Sequence, residues 1–261
     1  MSNFQFIRVF ILLIILAIVW KHFDSQKKII QNWDGTQDVV IIPINVDSED
    51  KTQAAINALS KEQFADINDF FSNQAKRYGK SLENSIQITL ASPISSMPPK
   101  LPNISSSEFD ILIWSLKLRW WSFKNKPQNY HVGQVRLYVM YSTPKEKELL
   151  PHSTGLQKGL IGLIHASSHR KDKKRNNMII THELLHIFGA TDKYNLFSGH
   201  PIFPEGFAQP NKKNRFPQNK AEIMAGRIPI SQSTFGRVYG LSQTVIGEKT
   251  AQEIGWIRNS N

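Results

Sequence analysis

The stretch that most restricts this chain runs from residue 179 to residue 192, IITHELLHIFGATD. His182 and His186 are four positions apart, so on a helix the two imidazoles share one face, about 6 Å apart. Around them stand Ile179, Ile180, Leu184, Leu185, Ile187 and Phe188, which predict a helix buried in a core. Two histidines and the carboxylate of Glu183 in such a place are costly without a partner. A metal ion removes the cost: both imidazoles bind one ion, and Glu183 lies beside the fourth coordination position. Gly189 falls where the helix must end in a left-handed residue and the chain turn back. That turn delivers Asp192 as a third ligand.

Composition narrows the ligand set further. The 261 residues include no cysteine, 8 histidines and 21 acidic residues. Disulfides, thiol nucleophiles and cysteine-based metal sites are excluded, and any metal must be held by His, Asp or Glu. With these counts the two-histidine pattern arises by chance in roughly 1% of such chains, and the spaced Gly189 and Asp192 make coincidence far rarer. A zinc ion in such a site acidifies its bound water, and Glu183 is placed to take the proton and pass it to a leaving amine.

The run His182-Glu183-Leu184-Leu185-His186-Ile187-Phe188-Gly189-Ala190-Thr191-Asp192 resembles the extended zinc motif of the metzincin clan of peptidases. Asp192 as third ligand is similar to the snapalysin form, whereas most metzincins carry histidine there, so His200 stands as a reserve ligand. A downstream glutamate, Glu205 or Glu222, is the other alternative. Glu222-Ile223-Met224-Ala225-Gly226 resembles the clan's Met-turn, whose methionine floors the metal site. Further runs at Pro204–Phe207, Ala221–Arg227 and Glu253–Trp256 are similar to a group of uncharacterised bacterial zincin-like proteins.

The resemblance implies a metzincin-like twisted mixed sheet with a zinc-binding active-site helix, one zinc per chain, and Glu183 as general base. It also implies that the strand before the zinc helix is an antiparallel edge on which an extended peptide or protein substrate binds. Gly159 to Ala166 occupies that place. Tyr194 and Tyr239 are candidates for oxyanion stabilisation, although the clan's Met-x-Tyr spacing is absent here.

The remaining pattern predicts an α/β layer arrangement. Strands are expected at residues 38–46 (DVVIIPINV), 85–91, 132–141 and 159–166. A helical stretch over residues 47–78 is stopped by Gly79. A second helix carries the stripe Phe109, Leu112, Ile113, Leu116, Trp120 and Phe123 behind a capping box at Ser105-x-x-Glu108. Its tryptophans read as core or as membrane-facing surface.

At the N-terminus, residues 9–20 form an unbroken apolar run, VFILLIILAIVW. As a helix it spans about 18 Å, and extension from Phe4 to Phe23, with Arg8 and Lys21 snorkelling, approaches a full crossing. A cleaved signal peptide is the rival, but no small-x-small site follows. The expected organisation is a transmembrane signal anchor at residues 1–23, a polar tether at 24–37 and a metallopeptidase domain at 38–261. Lys21, Lys27 and Lys28 after the segment oppose export; the short N-terminal tail and the length of the domain favour an extracytoplasmic placement.

The net charge of +11 points weakly to anionic partners. Its densest cluster, Arg170 to Arg175, has no aromatic residues interleaved, so no nucleic-acid partner is expected. The alternative to an enzyme is a non-catalytic envelope protein that uses zinc for structure alone.

Overall fold

The computed structural model describes residues 30–102, 106–145 and 150–257, together with residues 8 and 10. The expected anchor at residues 1–23 lies outside the described residues, apart from those two positions. Among the described residues no helix is long and apolar enough to cross a membrane.

The architecture is mixed α/β. Its main sheet has five strands: β1 (Gln37–Asn45), β2 (Ile86–Leu90), β3 (Val135–Ser142), β4 (Thr154–Leu156) and β5 (Ile161–Ser167). They lie in the order β2-β1-β3-β5-β4. The first four in that order are parallel, and β4 alone runs antiparallel, Gly155 opposite Gly162. The apolar run of β1 follows from burial on both faces, since alternate residues of a strand point to opposite sides. Val39 and Ile41 enter one core, while Val40, Ile42 and Ile44 enter the other.

Helices cover both faces. On one side lie α1 (Asp50–Asn57), α2 (Ala65–Lys76), α4 (Lys173–Phe188) and α5 (Glu248–Glu253), whose Ile56, Phe71, Phe188 and Ala251 join a single core. On the other lies α3 (Glu108–Lys124), which contributes Trp114 and Leu118. The stretch expected as one helix over 47–78 is thus two, separated by residues 58–60 and a 3₁₀ turn at Lys61–Phe64. Gly79 ends the second with a φ of 69°.

Three details differ from the sequence reading. The capping box of α3 is Ser107 with Asp110, each side chain bonding the other's backbone at 3.2 Å, two residues later than expected. Of the apolar stripe on this helix, Phe109, Leu112, Leu116, Trp120 and Phe123 face solvent. The stretch read as a tether joins the core from residue 30 onward: Ile30 and Trp33 are buried. The Trp33 ring lies 5.0 Å from Phe188 and 5.6 Å from Trp256, and its Nε1 donates to the Ile254 carbonyl at 2.7 Å.

A second, smaller sheet has the order β8-β7-β6-β9, from β6 (Ala221–Glu222), β7 (Arg227–Pro229), β8 (Phe235–Arg237) and β9 (Thr244–Val245). The β6–β7 turn carries Met224.

Candidate metal centre

Helix α4 brings His182 and His186 onto one face and ends where Gly189 adopts a φ of 109°. The Gly189 amide returns to the His186 carbonyl at 3.0 Å and the Ala190 amide to Leu185 at 2.9 Å, the paired bonds of a Schellman stop. The reversal places Asp192 against the histidines. Its Oδ1 lies 3.3 Å from His182 Nε2 and 3.2 Å from His186 Nε2, and the two Nε2 atoms are 3.1 Å apart.

Both rings are fixed from behind. His182 Nδ1 meets the Ile223 carbonyl at 3.0 Å, and His186 Nδ1 meets the Ala190 carbonyl at 2.8 Å. A carbonyl accepts only from N–H, so in each neutral ring the proton sits on Nδ1 and Nε2 is left to present a lone pair inward to a metal. Asp192 Oδ1 and Glu183 Oε2 are buried without any hydrogen-bond partner. Orphaned acceptors of this kind are costly. Three donor atoms converging on one point, with two unsatisfied carboxylate oxygens, fit a metal ion held by His182, His186 and Asp192.

No family model matches the chain, and no curated protein matches it.

Electrostatics follow from the same geometry. Burial pushes the Glu183 carboxyl above its usual range, against the pull of His182, His186 and His152. For Asp192 burial acts upward too, but the two imidazoles outweigh it and hold the group well below the carboxylate range. Burial alone would lower His182; the Asp192 carboxylate 3.3 Å away and the charge of Glu183 lift it instead, to about 9 without metal. Tyr194, half-buried beside Asp192, is pushed up to about 12, first by burial and then by the Asp192 charge. It stays a protonated donor at any physiological pH.

Met224 is fully buried in the tight turn between β6 and β7, where the Ala225 and Gly226 amides both donate to the Glu222 carbonyl at 3.0 Å. This turn supplies the Ile223 carbonyl that orients His182. The Met224 carbonyl in turn accepts the Lys193 amide at 3.0 Å, tying the Asp192 loop to the same turn.

The alternative ligands stand elsewhere. The His200 ring packs edge-on against Phe235 with centroids 5.0 Å apart. Glu205 is exposed beside Pro204 and Gly206. Glu222 is committed to structure: its two oxygens accept from the Met224, Ala225 and Gly247 amides and the Thr250 hydroxyl.

The strand order corrects one expectation. The strand at 159–166 is interior, parallel to β3, and the antiparallel edge is the three-residue β4. That edge presses directly on the metal helix: a Cβ on Gly155 would stand 2.3 Å from the Glu183 carbonyl oxygen and 3.0 Å from His186 Cβ. Only glycine permits this approach. Sequence reading also passed over Lys193 and Glu253, whose pairing spans 60 residues and has no local signature.

Proposed function

We propose that this chain is a membrane-anchored, zinc-dependent metalloendopeptidase of metzincin-like fold. The carrying observation is the set of three donors 3.1–3.3 Å apart beside the buried, unpartnered Oε2 of Glu183. Zinc bonds of about 2.0–2.1 Å in a tetrahedron set donors about 3.3–3.4 Å apart, and three protein ligands is the number that catalytic sites keep. A structural site takes four and has no need of a desolvated base.

When bound, zinc supplies Lewis acidity that makes water a nucleophile at neutral pH. His182, His186 and Asp192 hold it, with Ile223 and Ala190 fixing the imidazole tautomers. Glu183, its affinity for protons raised by burial, accepts a proton from the attacking water at Oε2 and returns it to the nitrogen of the departing amine. The apolar surroundings of α4 keep competing solvent from that carboxylate. Substrate adds as a strand to the outer edge of β4, where backbone hydrogen bonds give affinity independent of sequence. The apolar run at residues 9–20 anchors the domain, whose length supports an extracytoplasmic placement.

The test is Glu183→Gln in the full chain. Hydrolysis of a peptide library, abolished by a chelator in the parent protein, should disappear while one zinc per chain remains bound. An undiminished rate would refute the assignment.

A further inference from the structure

Helix α3 is apolar on two opposite faces. Trp114 and Leu118 close the core over the sheet. At about 100° per residue, Phe109, Leu112, Leu116, Trp120 and Phe123 line the other face as one stripe, each between 51% and 67% exposed. Single exposed apolar residues are ordinary, but a continuous stripe of five marks a surface that is covered in use.

The borders of the stripe identify the cover. Lys117 and Lys124 flank one side, whereas Arg119 on the other is turned to the Lys158 carbonyl. The Lys124 ammonium stands 5.1 Å from the Trp120 ring centre and Lys126 stands 4.6 Å from that of Phe123. Protein interfaces are depleted in lysine. Aromatic and aliphatic residues edged by cations are the composition of helices that lie in a bilayer interface, with rings at headgroup level and charged stems reaching the phosphates. The acidic residues of the helix, Glu108 and Asp110, are confined to its first turn, and Asp110 is engaged by Ser107.

The start of the described main body lies across the sheet from α3: Ile30 and Trp33 sit in the core beneath α4, and Gln31 donates to the Phe188 and Glu253 carbonyls. The chain leading to the apolar run must therefore pass the rim of the sheet to reach the bilayer under α3. Residue 30 is ten residues from the end of the apolar run at Trp20, a reach of about 35 Å at most.

We propose that α3 is a second membrane contact, its stripe seated in the interface of a bilayer containing anionic lipid. For its placement the proposal rests on the anchor reading above. Because α3 and α4 cover opposite faces of the sheet, this seating turns the metal helix away from the lipid.

The chain has no cysteine, so single-cysteine spin labelling of the full protein is clean. Labels at Leu116→Cys and, as a control on exposed α1, Lys51→Cys are compared in vesicles of three parts phosphatidylcholine to one part phosphatidylglycerol. The expected result is about tenfold lower collision of the 116 label with a water-soluble nickel chelate than of the 51 label, with high collision with oxygen, which concentrates in lipid. Adding Trp120→Glu should abolish the difference without changing Tm. Protein that floats with vesicles while both labels behave alike overturns the α3 contact and leaves the anchor standing. Protein that does not float overturns the anchor, and the contact with it. Shielding of the 116 label from oxygen as well as nickel reveals cover by packed protein, a second copy or residues 9–20, and also overturns the proposal.

Discussion

Lys193 Nζ lies 2.8 Å from Glu253 Oε2 and 2.9 Å from Oε1, with Lys193 only 2% exposed. The pair ties the turn that carries Asp192 to the last turn of α5. Thr191 completes the clamp, its amide and hydroxyl each donating to the same carboxylate at 2.9 Å. Removing one member leaves a charge buried without a partner, which costs about 3–5 kcal/mol. Glu253→Leu should therefore lower Tm by roughly 10 °C. Zinc affinity should fall about 10- to 100-fold as Asp192 loses its support. The double variant Lys193→Met with Glu253→Leu should regain much of the stability but not the affinity. Recovery of both in the double variant would show that the pair does not position the ligand.

Metal uptake should depend on pH in a defined direction. Without metal, His182 titrates at about 9, above the ordinary 6.5. The raised value means that protonated His182 stabilises the metal-free fold fully below about 6.5, and that this contribution is lost as pH rises through about 9. Binding requires the neutral imidazole. Apparent zinc affinity should thus climb about tenfold per pH unit between 6.5 and 9 and then level off. Competition titration with a chelating dye across this range checks it; a flat profile would contradict the raised histidine.

The tight turn around Met224 depends on a buried carboxylate rather than on methionine alone. Glu222 is fully buried and accepts four hydrogen bonds, from the Met224 amide at 2.6 Å, Thr250 at 2.8 Å, and the Ala225 and Gly247 amides at 3.1 Å. In Glu222→Gln an amide NH₂ faces donors, leaving at least one orphaned pair at a cost of about 2–4 kcal/mol. Thermal unfolding should show that loss, while zinc stoichiometry stays at one. Asp192→Ala should reverse the pattern, losing zinc with a smaller change in metal-free stability, and Glu205→Ala should do neither. Loss of metal in Glu222→Gln at a temperature where it remains folded would reopen the glutamate alternative.

The parts of this architecture that could be read from sequence are those written in local periodicity. The strand at 38–46, the helix ending at Gly189 and the tight turn around Met224 each carry their own pattern within a dozen residues. The convergence of His182, His186 and Asp192 is local as well, since one helical turn and one reversal span it. What could not be read depends on distant residues. Periodicity placed Phe109, Leu112, Leu116, Trp120 and Phe123 on one face of a helix, but whether that face is covered depends on where the sheet lies, and the sheet took Trp114 and Leu118. Lys193 has no signal that names Glu253. The Ile223 and Ala190 carbonyls that fix the imidazoles belong to the backbone, which sequence motifs do not display. Residues 154–156 are too few to alternate, so the edge strand went unseen and its role fell to its neighbour.

Gly155 is where edge strand and metal helix meet, and its substitution separates substrate binding from metal binding. The Cβ of Gly155→Ala would stand 2.3 Å from the Glu183 carbonyl oxygen. That atom is backbone within a buried helix and cannot yield, so β4 must shift outward. The strand pairs only through Thr154, Gly155 and Leu156 with β5, which makes displacement of the strand easier than distortion of the helix. His182, His186 and Asp192 are held from other directions, by Ile223, Ala190 and the Lys193 clamp. Gly155→Ala should therefore keep one zinc per chain and nearly the parent Tm, within about 1–2 kcal/mol. Peptide cleavage should drop at least tenfold, mostly through a higher KM, because the rail for an extended substrate has moved. Unchanged KM with a lowered kcat would place the damage at Glu183 instead, and unchanged kinetics throughout would show that peptide does not bind along β4.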